Sequence, residues 1–406
     1  MTLTLLVDLD DTLLVNDANR FISVYLKLLA GYMAEHVAPE RFVPTLMAAT
    51  QQMMVNQRPD RCLKETFDTA FYPSLGPEQD KVRGKIDDFY ANVFPALQEY
   101  TIALPQAVTF VEGALQRGYQ LVIATNPLFP RTAIHQRLNW GGVSPEKYPF
   151  RLVTSYETFH FSKPNPAYYA EILARLGWSE GPVVMVGDDL DMDIVPARRL
   201  GLADFWINAG HTPPPNGKYA PTAQGALADV LPWLTSLAPE SLRPNYTSPD
   251  SALAILRSTP AALHSLTADL SAADWRKSPQ AGEWSVTEIL CHLRDVEQEV
   301  NLPRLHRVIQ EANPFLPAKD TDRWAQERNY GEQDGAGALT AFTERRIALC
   351  SILESLEVEN CERPARHAIF GPTQLKELVT IIAGHDRLHV QQVHGTITAM
   401  SPATSS

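Results

Sequence analysis

Acidic side chains stand directly after a short apolar run at the start of this chain. Leu3 to Val7 is predicted to form a buried strand, and Asp8-Leu9-Asp10-Asp11 follows it. A carboxylate is costly to remove from water, so acids at the end of a buried strand commonly bind a cation or take part in chemistry. A solvated turn is the alternative interpretation of this segment taken alone.

Other polar side chains follow later predicted strands in an ordered series. They are Thr125, Asn126, Lys163, Asp188, Asp189 and Asp193. Each one has an ordinary alternative when taken singly, as a helix cap, a loop lysine or an acidic turn. Because ligands bind beyond the carboxyl ends of the strands in an open parallel sheet, we expect these side chains to meet at one edge.

Three histidines in the C-terminal half form a second candidate site. Ser285 and Glu288 make a capping box that predicts a helix start, and His292 lies on the apolar stripe of that helix. His385 and His389 are one turn apart on the apolar stripe of the last predicted helix. One such histidine is ordinarily a buried side chain with a hydrogen bond, whereas three that face one another predict a divalent metal with an open position.

The elements that must position the first set alternate between strand and helix. Short apolar strands separated by helices predict an α/β, Rossmann-like parallel sheet with helices on both faces. Residues 1–15 and 105–237 are assigned to this core. The block at 16–104 has apolar residues at three- and four-residue intervals, so it is predicted to be an inserted helical cap.

The pattern changes after residue 237. Residues 238–247 are rich in proline and polar residues, which is typical of a linker. Residues 248–400 are predicted to form an all-α four-helix bundle. The four helical stretches lie near 249–267, 285–311, 337–357 and 373–398.

The composition excludes several classes of protein. The 406 residues suffice for two or three domains, and a formal charge of -12 argues against a nucleic-acid partner held through phosphates. The four cysteines lack paired metal-ligand spacing and are interpreted as reduced thiols. The sequence has no apolar run long enough for a bilayer, and too few residues precede Asp8 for a signal peptide, so we expect a cytoplasmic protein without a membrane partner.

The first half resembles the haloacid dehalogenase superfamily of phosphotransferases, over residues 1–235. The resemblance rests on four motifs in order, and the insertion is similar to the cap of the family's first subclass. The motifs are DLDDT at 8–12, Thr125-Asn126, Lys163-Pro164, and Gly187-Asp188 with Asp193 after it. Dehalogenase members lack the acid two residues after the nucleophile, whereas this chain has Asp10, which favours phosphate chemistry.

The resemblance implies a role for each of these residues. Asp8 is implied as the nucleophile, and Asp10 as the general acid and base. Thr125, Asn126 and Lys163 are implied to contact the phosphate. Mg²⁺ would be held by Asp8, the backbone carbonyl of Asp10 and Asp188, with Asp193 orienting Lys163 or metal-bound water and Asp189 sharing that work. The cations of the insertion that could contact an anionic substrate are Arg20, Lys27, Arg58, Arg61 and Lys64.

The second half, about 248–400, resembles the DinB-like family of metal-binding four-helix bundles. The segments that carry the resemblance are GEWSVTEILCHLRDVE at 282–297 and GHDRLHVQQV at 384–393. It implies that His292, His385 and His389 bind Zn²⁺ or Ni²⁺. Some family members act in thiol transfer or isomerisation.

The sequence therefore predicts a fusion of an Mg²⁺-dependent phosphatase, acting on a small phosphorylated metabolite, with a metal-binding bundle. Two alternatives stay open for the bundle. It is either a metal-dependent thiol transferase or isomerase, or a scaffold for a homodimer or for a docking partner.

Overall fold

The computed structural model of the protein describes residues 2–208 and 217–400. These residues divide into two compact units. The first contains the described residues up to Gln57, from Arg61 to Tyr168 and from Glu180 to Asn245. The second contains Arg58–Asp60, Tyr169–Ser179 and the described residues from Tyr246 onward.

A six-stranded parallel sheet forms the centre of the first unit, and its strands follow one another in the order Leu152–Val153, Gln120–Ile123, Thr4–Val7, Val183–Gly187, Ala203–Ile207 and Ala223–Gly225. The first strand pairs with its two neighbours through Val7 opposite Ile123 and Val7 opposite Val186. All four of its residues are buried, which explains the uninterrupted apolar run in the sequence. The strands are β1 (Thr4–Val7), β4 (Gln120–Ile123), β5 (Leu152–Val153), β6 (Val183–Gly187), β7 (Ala203–Ile207) and β8 (Ala223–Gly225).

Five helices occur among these strands in the sequence, as the alternation predicts. They are α5 (Pro105–Gln116), α6 (Arg131–Trp140), α7 (Pro166–Arg175), α8 (Val195–Leu200) and α9 (Leu227–Ser236). The predicted α/β class with a parallel sheet is therefore confirmed.

The insertion consists of four helices on a two-stranded stem. Its helices are α1 (Ala18–Met33), α2 (Pro39–Met54), α3 (Leu63–Leu75) and α4 (Gln79–Asn92). The stem pairs β2 (Leu14–Asn16) antiparallel to β3 (Thr101–Ala103), with Asn16 opposite Thr101. The helical part was predicted, whereas these three-residue strands are too short to give a recognisable alternation.

Residues 238–245, predicted as part of a linker, lie within the first unit. Leu242 is buried, and the Asn245 N–H donates to the Gly201 carbonyl at 2.9 Å. Gly201 has φ of 96°, and a Cβ at this position would overlap the Asn245 carbonyl oxygen. Only glycine therefore allows the two backbone segments to approach so closely.

The second unit is a helical bundle, as predicted. Its long helices are α10 (Pro249–Thr267), α11 (Val286–Val296), α14 (Gly335–Glu354) and α15 (Leu375–Met400), and a π-helical turn at Glu297–Asn301 joins α11 to α12 (Leu302–Gln310). A short helix, α13, covers Trp324–Glu327. Three strands that the sequence did not predict form a small sheet: β9 (Phe315–Leu316), β10 (Pro364–His367) and β11 (Gly371–Gln374). Of the helices in the described residues, none combines the length and the apolar character needed to cross a membrane.

Candidate active site and candidate metal centre

Three carboxylates converge where β1 and β6 end. Asp8 follows β1, Asp188 follows β6, and Asp193 belongs to the π-helical turn after β6. One oxygen atom from each of the three lies within 4.8 Å of the others. The Lys163 Nζ donates to Asp8 Oδ1 at 2.6 Å and to Asp193 Oδ1 at 2.5 Å. The structure thus brings together four of the residues that the motifs single out.

The cluster contains more acidic groups than basic ones. Burial, followed by the charges of Asp8 and Asp193, raises the pKa of Asp188 to about 8. Burial also raises the pKa of Asp193 to about 7, although the Lys163 ammonium opposes this shift. Three carboxylates therefore surround one lysine, and their ionised forms need a second positive charge nearby. Oxygen ligands of this kind suit Mg²⁺, so the donor set fits the metal that the resemblance implies.

Close backbone packing holds Asp193 in this cluster. A Cβ on Gly187 would overlap Asp193 Oδ2, so the last residue of β6 must lack a side chain. The Asp189 N–H donates to Asp193 Oδ2 at 3.2 Å. The Asp189 carboxylate is not in the cluster: its Oδ1 accepts from the N–H groups of Asp191 and Met192 at 2.8 and 3.0 Å. The shared role predicted for Asp189 is therefore replaced by an N-capping role.

Asp10 lies beside the cluster, with its carboxylate bound to two other groups. Its Oδ1 accepts from the Asn16 side-chain amide at 2.7 Å and forms an ion pair with the Arg137 guanidinium. Arg137 is 3% exposed, and burial lowers its pKa to about 10. Sequence reasoning missed Arg137, because a buried arginine in α6 resembles any arginine of an amphipathic helix. Because Oδ1 is already bound, the acid–base role predicted for Asp10 would use its other oxygen, Oδ2, or would require rotation of the side chain.

Thr125 and Asn126 lie at the end of β4, next to the end of β1. The Thr125 carbonyl accepts from Thr154 Oγ1 at 2.7 Å and from the Tyr168 hydroxyl at 2.8 Å, which fixes the backbone here. The side-chain oxygen of Asn126 is buried with no hydrogen-bond partner from the described protein. A buried acceptor without a partner is costly, so the Asn126 side-chain oxygen suits a donor group of a bound substrate, and the side-chain N–H groups stay available to donate.

The candidate cations of the insertion differ in their surroundings. Lys64 donates to Asp68 at 2.6 Å, and the Arg58 guanidinium donates to Asp60 at 2.6 and 2.8 Å. The Arg20 guanidinium lies 5.1 Å from the centre of the Tyr100 ring. The structure distinguishes none of the five cations as a substrate contact.

The three predicted histidines of the bundle meet through their Nε2 atoms. His385 Nε2 lies 3.3 Å from His292 Nε2 and 3.1 Å from His389 Nε2. His292 comes from α11, and the other two come from adjacent turns of α15. The Trp284 ring packs 5.0 Å from His292 and 6.1 Å from His389, centre to centre. The interpretation of a facing triad thus matches the geometry, whereas metal binding stays a prediction.

The imidazoles are held in the neutral form that a metal requires. Burial is the largest cause in each case: it lowers the pKa of His292 to about 3, that of His385 to about 3, and that of His389 below its usual value. His389 Nδ1 lies 3.0 Å from Gln392 Oε1, and if it donates there, the Nε2 lone pair points to the centre. Three neutral nitrogen donors fit Zn²⁺ or Ni²⁺.

A buried ion network lies next to the triad, and sequence reasoning missed it. The Arg346 guanidinium donates to Glu297 Oε1 at 2.6 Å and to Asp386 Oδ1 at 3.0 Å. Asn301 donates to Glu297 Oε2 at 2.8 Å. These charged groups are at most 1% exposed, and Asp386 directly follows His385 in α15. The network therefore joins the π-helical turn after α11 to α14 and α15, beside the three imidazoles.

Residues 2–201, which contain most of the parallel sheet and the inserted helices, match the model of the haloacid dehalogenase-like hydrolase family. Residues 255–393 match the model of the DinB superfamily. The chain therefore joins a haloacid dehalogenase-like region to a helical DinB-like region.

Individual relatives cover one half or the other. The pyrimidine 5'-nucleotidase PynA of Streptococcus pneumoniae is 28% identical over 51% of this chain and 84% of its own length. The protein OB0782 of Oceanobacillus iheyensis is 26% identical over 33% of this chain and 77% of its own length. Among solved structures, a 2-haloacid dehalogenase of Pseudomonas syringae pv. tomato is 20% identical over 59% of this chain and all of its own, with a TM-score of 0.44.

Proposed function

We propose that the N-terminal domain hydrolyses a small phosphomonoester in an Mg²⁺-dependent reaction, through an aspartyl-phosphate on Asp8. The observation that supports this proposal is the cluster of Asp8, Asp188 and Asp193 around the Lys163 ammonium. Bound Mg²⁺, on Asp8, Asp188 and the Asp10 carbonyl, would supply positive charge that lets an anionic nucleophile approach an anionic phosphate.

The first half-reaction forms the covalent intermediate. A carboxylate oxygen of Asp8 attacks phosphorus, and the bond between phosphorus and the ester oxygen breaks. Asp10 gives its proton to the departing alkoxide. Lys163, Thr125 and Asn126 donate hydrogen bonds to the phosphoryl oxygens, where negative charge must be stabilised.

The second half-reaction releases phosphate. The Asp10 carboxylate now takes a proton from a water molecule, and the water oxygen attacks phosphorus. The bond between phosphorus and Asp8 breaks, which restores both carboxyl groups to their starting forms. The net reaction consumes one ester and one water and yields an alcohol and orthophosphate.

Phosphate release from a panel of monoesters tests the proposal. The wild type should release phosphate with Mg²⁺ and not with a chelator, and Asp8→Asn should lower turnover by about 10⁴-fold or more. Asp191→Asn is the matched control, because Asp191 is an exposed acid of the same turn. Unchanged turnover in Asp8→Asn, with release by the wild type, would overturn the proposal.

Nucleoside monophosphates belong at the head of that panel. The relative PynA is named as a pyrimidine 5'-nucleotidase, and its similarity extends over 51% of this chain. Pyrimidine and purine nucleotides should therefore be compared with sugar phosphates of the same charge.

For the C-terminal domain we propose a transition-metal site formed by His292, His385 and His389. The observation that favours it is the convergence of the three Nε2 atoms: those of His292 and His389 lie 3.3 and 3.1 Å from that of His385. Purified protein incubated with Zn²⁺ or Ni²⁺ and then desalted should retain one ion per chain by mass spectrometry. Retention of neither metal would contradict the site and would favour the bundle as a scaffold.

Two variants distinguish an enzymatic role of the bundle from a scaffold role. Metal-dependent thiol transfer or isomerisation would be lost in His385→Ala with phosphate release retained. A dimerisation or docking scaffold would instead change the assembly state when the chain is shortened after residue 245.

A further inference from the structure

A mostly apolar cavity of about 160 Å³ runs between the helices of the bundle. Its walls include Val300, Leu349 and Leu378, and one part of the wall is His385 of the triad. The lining positions on α15 extend from Leu375 to His385, about 15 Å along the helix axis. The cavity is therefore elongated, and one section of it borders the candidate metal centre.

The volume limits the size of an occupant. An apolar cavity of about 150 Å³ in another protein accepts benzene, so this one suits an apolar body of about six to eight carbon atoms. Lys319 and Ile381, which both line the cavity, are exposed, so the space reaches solvent beside them. A small molecule can enter there without unfolding of the bundle.

One lining residue carries a positive charge without a negative partner. Arg304 donates to the Pro317 carbonyl at 2.8 Å, and within the described part of the chain no carboxylate lies within ion-pair distance of it. Burial lowers its pKa, so its charge is partly withdrawn from water. A partly buried guanidinium favours a bidentate anion such as a carboxylate.

Two further polar lining residues, His367 and Lys319, differ in the partners they already have. His367 Nδ1 accepts from the N–H groups of Ile369 and Phe370 at 3.2 and 3.4 Å, so the ring proton lies on Nε2. Lys319 already donates to Glu299 at 3.0 Å. Arg304 and the His367 Nε2–H are therefore the groups best able to bind an anion in the cavity.

We propose that this cavity binds a small aliphatic carboxylate, with its carboxylate on Arg304 and His367 and its chain along Val300, Leu349 and Leu378. The chain end then lies toward His385. Binding itself does not depend on the metal site proposed above, whereas any reaction of the bound molecule at the triad does.

The test is calorimetric titration of the full chain with octanoate and with its neutral counterpart octanamide. Metal content is measured separately on the same samples, which are prepared with and without Zn²⁺. Octanoate should bind at least tenfold more tightly than octanamide. Arg304→Met should remove most of that difference, whereas Arg307→Met, one turn further along α12, should leave it unchanged. Equal affinities for octanoate and octanamide in the wild type would overturn the proposal.

A second variant distinguishes this cavity from other sites on the chain. Leu349→Trp fills the space and should abolish octanoate binding, and Val379→Phe at another lining position serves if Leu349→Trp does not fold. An unchanged circular dichroism spectrum and unchanged hydrogen exchange of α11 and α15 peptides establish that the bundle of each variant is folded. Octanoate binding that survives in folded, cavity-filled protein would overturn the proposal. Octanoate binding without any metal uptake would uphold the cavity while contradicting the metal centre.

Discussion

The two candidate sites each gather three metal-ligating side chains, yet burial acts on them in opposite directions. It raises the pKa values of Asp188 and Asp193 and lowers those of His292 and His385. In both places burial favours the neutral form of the side chain. For an imidazole the neutral form is the ligand, whereas for a carboxylate it is the ionised form that binds a cation. The acids therefore need Lys163 and a further cation to stay ionised. The histidines are already in the neutral form that binds a metal.

The bundle keeps its charges apart from its ligands. Two of its buried carboxylates, Glu297 and Asp386, are bound by Arg346, and the triad contributes no charge. In the first site the same carboxylates both carry the charge and act as the candidate ligands. We expect substitutions in the bundle to separate stability from metal binding, and substitutions in the first site to change both together.

The largest effect is expected from Arg346→Met. It leaves Glu297 and Asp386 buried without a cation, which should cost about 3–5 kcal/mol of unfolding free energy. Hydrogen exchange of α14 and α15 peptides in the full chain measures the loss. Arg345→Met, the adjacent residue, is the control and should change little. Equal protection in the two variants would contradict a structural role for the network.

Lys163→Met tests whether the first site depends on the lysine that binds Asp8 and Asp193. Phosphate turnover should fall by about 10²–10³-fold, because the developing charge on the phosphoryl group loses a direct partner. Lys147→Met, at an exposed lysine of the same unit, should retain full activity. A fall of less than threefold in Lys163→Met would mean that the lysine only neutralises the acids.

His385→Ala tests whether the three histidines of the bundle bind a metal. Loss of one ligand should weaken Zn²⁺ or Ni²⁺ binding by about 100-fold or more, since changes to the groups behind such ligands already cost 10–100-fold. Phosphate release should not change. His306→Ala, at an exposed histidine of α12, should retain the metal. Metal content that is the same in both variants would argue against the triad.

The last prediction concerns the sign of a pH dependence, not its size, in protein freed of metal. His292 and His385 bind fewer protons when folded than when unfolded, so the bundle should lose stability as the pH falls below about 6.5. Asp188 and Asp193 bind more protons when folded, so their contribution should fall as the pH rises from about 4 to 8. Each group contributes up to about 1.4 kcal/mol per pH unit.

Hydrogen exchange at pH 5 and 7, corrected for the intrinsic rate, measures both trends in one experiment. Peptides of β1 and β6 should be better protected at the lower pH, and peptides of α11 and α15 at the higher pH. Added metal should reduce both trends, because it holds the acids ionised and the imidazoles neutral. Trends of the same sign in the two units would break the contrast between the sites.

Much of the fold was predictable because its signals are local. The buried apolar runs of β1, β4 and β6 and the capping box at Ser285 predict the elements that carry the candidate residues. The i, i+4 spacing of His385 and His389 likewise predicts that they share a face.

The features that the sequence did not predict depend on contacts between segments that are distant in the chain. Arg137 and Arg346 resemble ordinary helix-surface arginines until the tertiary structure brings Asp10, Glu297 and Asp386 to them. The capping role of Asp189 was hidden because the acids after β6 are alike in sequence and differ only in backbone direction. Strands as short as β9 carry no periodicity to detect.

The stem formed by β2 and β3 has a consequence for how this enzyme class diversifies. Because Asn16 lies opposite Thr101, the chain leaves and re-enters the core at adjacent points. The sheet is therefore insensitive to how many residues separate these two points, and the closure cost grows only with the logarithm of their number. The helical insertion between β2 and β3 can therefore be replaced as a unit. A chimera with a different insertion on the same stem would keep the same acids at the edge of the sheet.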